Sequence, residues 1–348
     1  MAGNPRIIVI GGSAGAMRPL ENILASLPAN LPAAVFVVLH LAPYAGREIL
    51  DHLCGLSAVK ARVAGDGDSF SEGEVILAPP DHHLIVKPAQ LRVMRTPREN
   101  LWRPSVDVLF RSAAVAHGSA VIGVILSGAL DDGSAGLAAV KRCGGLALVQ
   151  SPANAQVASM PDAAIRNAPV DQVLDADAIA PALERLCRDA PAPAVSIPAD
   201  LVLEAQFAET GKPSAEINQM LGEPTEFTCS ECAGPLWKRH GDMIRYRCMT
   251  GHALTARALD EGLNRNLDAA LWAAIRQFEQ RANLCAQMAA DERSRSRTRS
   301  ATAYEEREVE ARGYARTLRS MLQEATQQPG EALAGRHQHS RNPLPEPA

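Results

Sequence analysis

A serine stands between small residues in Gly11-Gly12-Ser13-Ala14-Gly15, directly after the apolar run Ile7–Ile10. Small neighbours permit the sharp strand-to-helix turn of a G-x-S-x-G elbow, which exposes the hydroxyl at the carboxyl end of a sheet. The start of the following helix offers N–H groups that can stabilise an oxyanion. Serine is a weak nucleophile without a base. His40 closes a second apolar run, Ala34–Leu39, and Asp131-Asp132 follow a third, Ala120–Leu126, through Ser127-Gly128. If the three runs are neighbouring parallel strands, hydroxyl, imidazole and carboxylate meet at one sheet edge, the set required for acyl transfer. The rival reading is a nucleotide-binding glycine turn. It is disfavoured because Ser13 occupies the place of the second glycine, and His40 stands where an acidic residue should hold the ribose.

A second constellation lies far downstream. Cys229-Ser-Glu-Cys232 and Cys248-Met-Thr-Gly-His252 are two short knuckles separated by fifteen residues. Thiolate and imidazole ligands in that spacing suit a tetrahedral Zn²⁺, and four protein ligands make the site structural. A module of about 30 residues has too little core to fold without such a staple. His240 is a less suitable ligand because it falls between the knuckles. The other four cysteines, Cys54, Cys143, Cys187 and Cys285, are scattered and read as small buried apolar residues.

The elements that would position these residues are read from periodicity. Continuous apolar strands at Arg6–Ile10, Ala34–Leu39, Ala120–Leu126 and Leu146–Val149 alternate with helical patterns. Those helices are expected near Met17–Leu27, Ile49–Leu56, Val106–Ala116 and Ala135–Cys143. The order implies a doubly wound, mostly parallel α/β sheet covered on both faces. Gly73–Val93, rich in Pro and Gly turns, reads as an antiparallel hairpin at its edge. The expected domains are a catalytic domain over 1–188, a linker over 189–224 that opens on the Pro/Ala-rich stretch Asp189–Pro198, and a zinc-ribbon-like module over 225–254. A helical hairpin over 255–326 and a disordered tail over 327–348 follow. Its first helix carries Leu263, Leu267, Leu271, Ile275, Phe278 and Ala282, and its second Ala311, Tyr314, Leu318, Met321, Leu322 and Ala325.

Composition narrows the function class. With 348 residues and 47% apolar content the chain can bury several cores, and a net charge of −4 gives no pull toward nucleic acid or anionic membranes. The run around Arg295, Arg297 and Arg299 lacks aromatic interleaving and is flanked by acids, so a solvated connector is expected there. No apolar run reaches the roughly 18 residues of a membrane span, Met1–Asn4 is no leader, and an odd cysteine count argues against disulfides. A cytoplasmic protein without membrane insertion is expected. Three further readings concern the neighbourhood of the site. His82 and His83 sit in turn or substrate-loop positions, Arg103 and Asp107 form an ion pair at a helix start, and His52 and His117 lie on helix surfaces.

From about Pro5 to Leu186 the sequence resembles the catalytic domain of the CheB-type chemotaxis receptor methylesterases. The resemblance is carried by the turn around Ser13, by His40-x-x-Pro43, and by Asp81-His82-His83. It continues through Arg103-Pro104-Ser105-Val106-Asp107-Val108-Leu109-Phe110, Gly123–Gly128, Asp132-Gly133-x-x-Gly136 and Met160-Pro161. It implies hydrolysis of methyl esters on receptor glutamates and possible deamidation of receptor glutamines. It makes Ser13 the nucleophile, His40 the base and Asp132 the orienting acid, leaving Asp131 as a solvated turn residue. Backbone N–H groups at Ala14 and Ala129 would face the oxyanion, with Ala129 standing where the family usually has Met. The implied partner is a methylated, helical, chemoreceptor-like protein, and the C-terminal module would dock a signalling partner or the enzyme's own domain. The chain starts at the esterase without a preceding receiver, so phosphorylation in cis is not expected to control it. Two other classes remain at this stage: a binding or regulatory module on an esterase fold, and an esterase for another signalling protein or a small ester.

Overall fold

The computed structural model describes residues 6–41, 47–56, 59–211 and 215–327; Pro43 and the tail 328–348 lie outside them. The chain divides into two compact units, Met1–Gly262 and Leu263–Ala348.

In the first unit, seven strands form a parallel sheet: β1 (Arg6–Gly12), β2 (Ala33–Leu39), β3 (Lys60–Val63), β4 (Glu74–Leu77), then β7 (Val121–Ile125), β8 (Leu146–Gln150) and β9 (Gln172–Leu174). Their order is β3-β4-β2-β1-β7-β8-β9. The intervening β5 (His83–Val86) and β6 (Leu91–Met94) pair as a separate antiparallel hairpin. The central strand β1 is buried along its whole length. Because strand side chains alternate, its residues divide between two cores. Ile7 and Val9 pack toward α3 (Val106–His117), α4 (Ser134–Arg142) and α5 (Ser159–Asn167). Ile8 and Ile10 pack toward α1 (Met17–Ser26), α2 (Arg47–Leu56) and α6 (Ala176–Arg188). Chain direction across the sheet reverses at β1, with β2 on one side and β7 on the other, so a crevice opens at their carboxyl ends, where α/β sheets place their sites.

The fold class is as expected, with local differences. Val75–Leu77 is part of β4 and runs parallel to β2 and β3; the hairpin proper is confined to β5 and β6. The segment 189–224 is more than a linker: it holds α7 (Ala199–Thr210), α8 (Ala215–Leu221) and the start of β10. The cysteine module is a four-stranded antiparallel sheet of β10 (Gly222–Thr228), β11 (Pro235–Arg239), β12 (Arg245–Cys248) and β13 (Ala253–Thr255). Its small core of Leu236, Tyr246, Leu254, Ala258 and Leu259 also takes in Leu101 from the catalytic domain.

A buried ionic seam joins this ribbon to the parallel-sheet domain. Glu99 accepts two hydrogen bonds from Arg111 of α3, at 2.9 and 2.8 Å, and one from Arg247 of β12 at 2.9 Å. Glu204 of α7 accepts from Arg245 at 2.9 and 3.2 Å and from Arg239 at 3.3 Å. Both carboxylates lie below the ordinary range. Burial opposes this, but the facing guanidinium charges outweigh it and bring Glu99 to about 2. α7 is ordered because Glu204 must reach these arginines and Leu201 and Phe207 are buried, which a Pro/Ala composition did not signal.

In the second unit, α9 (Ala256–Ser294), which begins in the first, pairs with α10 (Thr298–Gln327). Ile275, Ala282, Cys285, Ala301, Ala311 and Leu322 are buried in the pair, and Phe278 meets Tyr314 at 5.2 Å. Ion pairs Arg293–Glu305 and Arg319–Glu279 set the antiparallel register. By that register α10 ends opposite Leu271, so Leu263 and Leu267 are exposed instead of continuing the buried stripe. Arg295 and Arg297 pair with Asp291 and Glu292 in the connecting turn.

Removing one partner of a buried ion pair leaves an uncompensated charge and costs about 3–5 kcal/mol. Glu204→Ala is therefore expected to destabilise the first unit by about that amount in urea titrations of the full chain. A change below about 0.5 kcal/mol, the level of an ordinary surface substitution, would contradict this.

Candidate active site and metal centre

Three strand ends build the site. Ser13 follows β1, and its N–H donates to Ser127 O at 2.9 Å; His40 follows β2, and its N–H donates to Gly12 O at 3.1 Å. The turn demands small residues. Gly15 has φ +77°, and a Cβ there would lie 2.7 Å from Ser127 Oγ. A Cβ on Gly128 would lie 2.3 Å from Met160 Sδ and 3.0 Å from Ser13 Cβ, so the loop after β7 passes against the serine only because glycine is there. Ser127 Oγ ties the two loops by donating to Ala14 O at 2.8 Å.

Asp132 is almost fully buried and accepts a hydrogen bond from His40 Nε2 at 2.8 Å. A carboxylate only accepts, so Nε2 carries the proton and Nδ1 is left with its lone pair. That buried Nδ1 makes no hydrogen bond, and among the described residues neither does the half-buried Ser13 hydroxyl. The imidazole plane is held by Trp102, stacked at 4.4 Å and 9°.

The remaining lone pairs of Asp132 are satisfied by the start of α3. Val106 N–H donates at 2.7 Å and Asp107 N–H at 3.3 Å, where the helix terminus also favours negative charge. Ser105 Oγ donates at 2.9 Å and Asn100 Nδ2 at 2.8 Å. Burial pushes the Asp132 carboxyl up, but hydrogen bonds from His40, Asn100 and Val106 outweigh it and hold it below the usual carboxylate range. Asp107 shows the opposite balance: burial and then the neighbouring Asp132 charge push it well up.

Several sequence expectations change here. Asp131 is not solvated: it is buried, accepts from Thr255 Oγ1 at 2.7 Å, and is pushed up by burial. Arg103 and Asp107 do not pair. Arg103 binds Asp81 at 2.6 and 2.9 Å, while Asp107 turns inward to Asn100 and Gly136. His83 is a buried strut whose Nε2–H donates to Pro97 O while Nδ1 accepts from Ser105 N–H; burial lowers it to about 4. His82 binds Pro80 O beside it. His52 meets Glu21 on the helix surface, and His117 contacts Lys87 O. The N–H groups of Ala14 and Ala129 belong to exposed residues and, among the described residues, donate to no protein acceptor. Asn100, Trp102 and Thr255 were missed. The available signals were an Asn, a residue type tolerant of left-handed backbone, and a tryptophan just before a helix cap.

The ribbon brings Cys229, Cys232, Cys248 and His252 together, with all four ligand atoms within 4.8 Å of one another. Tetrahedral bonds of about 2.3 Å to sulfur and 2.0–2.1 Å to nitrogen require about 3.8 Å between sulfurs and about 3.6 Å between sulfur and nitrogen. Cys232 and Cys248 Sγ are 3.7 Å apart, and Cys248 Sγ lies 3.6 Å from His252 Nδ1, so the donor set fits a metal ion. His240 stands apart from it.

The fold is thus an α/β sheet that brings a serine, a histidine and an aspartate to neighbouring strand ends. Comparison with known proteins narrows this. Residues 8–183 match the family model described as CheB methylesterase, and the chain belongs to that family. A protein-glutamate methylesterase/protein-glutamine glutaminase of Anaeromyxobacter dehalogenans is 40% identical over 187 residues, 53% of this chain and 51% of that one. A Leptospira interrogans relative is 38% identical over 187 residues, 53% of this chain and 95% of its own. The catalytic domain of Thermotoga maritima CheB methylesterase superposes with a TM-score of 0.51 at 33% identity, covering 53% of this chain and all of that domain. The chain thus spans about half the length of the Anaeromyxobacter relative. No helix among the described residues is long and apolar enough to cross a membrane.

The depressed Glu99 carboxyl makes the seam sensitive to acid. Its folded value of about 2 lies below the ordinary 4.3, so its stabilisation is complete above about pH 4.3 and lost as pH falls toward 2. Glu99→Gln should flatten that part of the stability–pH curve in denaturant titrations; an unchanged slope would contradict the assignment.

Proposed function

We propose that the protein is a protein-glutamate methylesterase in which Ser13 is the nucleophile, His40 the base and Asp132 the orienting acid. The observation that carries this reading is the meeting of Ser13 and His40 at adjacent strand ends with the 2.8 Å His40–Asp132 hydrogen bond behind them. His40 Nδ1 takes the Ser13 proton as Oγ attacks the ester carbonyl. Ala14 and Ala129 N–H groups receive the developing oxyanion. The tetrahedral species collapses, the carbonyl–methoxy bond breaks, and methanol leaves with the proton from His40. Water then attacks the acyl-serine as His40 Nδ1 takes its proton; the acyl–Oγ bond breaks, His40 returns that proton to Ser13 Oγ, and the glutamate side chain leaves as the acid, which ionises in water. The serine–histidine hydrogen bond is left to form with substrate, since such bonds are often long in substrate-free enzymes.

The names of the relatives support a protein glutamyl methyl ester as substrate, with deamidation of glutamine by the same route releasing ammonia; the family resemblance places that ester on a chemoreceptor-like helical segment. A cytoplasmic location follows from that partner. The cysteine–histidine cluster holds one structural Zn²⁺, whose chemistry is to cross-link the ribbon and which takes no part in ester cleavage. Elemental analysis should find one zinc per chain, lost in Cys248→Ser. Methanol release from methylated receptor cytoplasmic fragments is expected for the wild type. Ser13→Ala and His40→Gln should lower kcat by at least about 10³-fold, the scale of losses on disabling a serine triad. A folded, zinc-loaded wild type releasing no more methanol than Ser13→Ala would reject the activity.

A further inference from the structure

Four consecutive residues connect the ribbon to the triad. Glu99 binds Arg247 of β12, Asn100 donates to Asp132, Leu101 enters the ribbon core, and Trp102 stacks on His40. The segment also extends the ribbon sheet. Ala253, directly after the metal-site residue His252, accepts a hydrogen bond from Asn100 N–H at 2.8 Å, and its own N–H donates to Arg98 O at 3.4 Å. Glu99 and Ala253 form a parallel bridge at the free edge of β13. Two residues on, Thr255 N–H donates to Asn100 Oδ1 at 2.9 Å, which fixes the amide orientation and leaves Nδ2 to face Asp132 and Asp107. Thr255 Oγ1 holds Asp131, the neighbour of the orienting acid.

The backbone of this segment needs that support. Asn100 and Leu101 have φ of +52° and +71°, and a buried leucine in the left-handed region persists only where its surroundings over-determine it. The surroundings of Leu101 include Cys229 and Cys248, two of the metal-site thiols. Loss of the ion would loosen the knuckle that ends at His252 and, with it, the β13 edge on which Arg98–Asn100 rests.

We propose that the ribbon is a metal-dependent brace for the triad: with its ion bound it holds Asn100, a positioning residue, in the rotamer that orients Asp132, and Trp102 against His40. This regulation rests on the proposed roles of Ser13, His40 and Asp132. Zinc availability would then set the fraction of chains with an assembled triad, without any ligand entering the active site.

The test compares the full-length zinc-loaded protein, the same protein after chelation, and Asn100→Ala with zinc retained. The primary readout is the downfield proton NMR resonance of His40 Nε2–H, assigned with His40→Gln; methanol release is the second. Chelation and Asn100→Ala are each expected to abolish or shift that resonance upfield. Each should also lower kcat by about 10- to 100-fold with KM changed less than about twofold, the scale seen when supporting partners of a site are removed. Far-UV circular dichroism of the parallel-sheet domain should be retained. Added Zn²⁺ should restore the chelated wild type but not Asn100→Ala. Trp102→Leu, which removes the ring stacked on His40 without adding a charge, should also shift the resonance and lower kcat and serves as the second variant if Asn100→Ala does not fold. An unchanged resonance and kcat after chelation would overturn the proposal. So would complete unfolding on chelation, because the ion would then hold the fold and not the triad. If the resonance responds to zinc while no form releases methanol, the brace stands and the methylesterase reading fails.

Discussion

A carboxylate buried at the carboxyl end of a parallel sheet is the constraint on which the rest of the site depends. Removing such a charge from water costs several kcal/mol unless its lone pairs are filled. Asp132 fills them with His40, two N–H groups of α3, Ser105 and Asn100. Each donor recruits a different element, so the placement of α3, the 99–102 loop and the β2 end all follow from the need to satisfy one side chain. The same bonds keep Asp132 ionised beside Asp107, which takes up the opposite shift. An ionised Asp132 in turn selects the Nε2–H form of His40 and leaves its Nδ1 unprotonated.

The ribbon solves a different problem. Its core is small, with a cysteine–histidine cluster that fits a metal ion on one side and a buried arginine–glutamate seam on the other. Buried pairs of this kind add little net stability but are costly to break singly. Glu99 belongs to the seam and Asn100 to the Asp132 shell, so the two sets of bonds are one peptide bond apart.

Much of this was legible in the sequence. Uninterrupted apolar runs mark strands buried on both faces, and parallel topology brings Ser13, His40 and the Asp131-Asp132 pair to one sheet edge; the family resemblance is what singles out Asp132. The Cys229–Cys232 and Cys248–His252 spacing was similarly transparent, since ligand geometry dictates it. The hidden features depend on tertiary partners. Short edge strands such as Lys60–Val63 and Gln172–Leu174 are too polar for a periodic signal. Glu204 on α7 looks like a surface charge until three arginines from elsewhere surround it. Asp131 reads as a turn residue because the hydroxyl that buries it, Thr255, is 124 positions away.

The central claim is that Ser13 is activated by His40 under the control of Asp132. The most direct measurement is the rate of covalent labelling by a fluorophosphonate, with the modified serine located by peptide mass spectrometry. Modification is expected to be confined to the Ser13 peptide, abolished in His40→Gln and strongly slowed in Asp132→Asn, both variants remaining folded. Labelling at another serine, or equal Ser13 labelling in all three proteins, would contradict it.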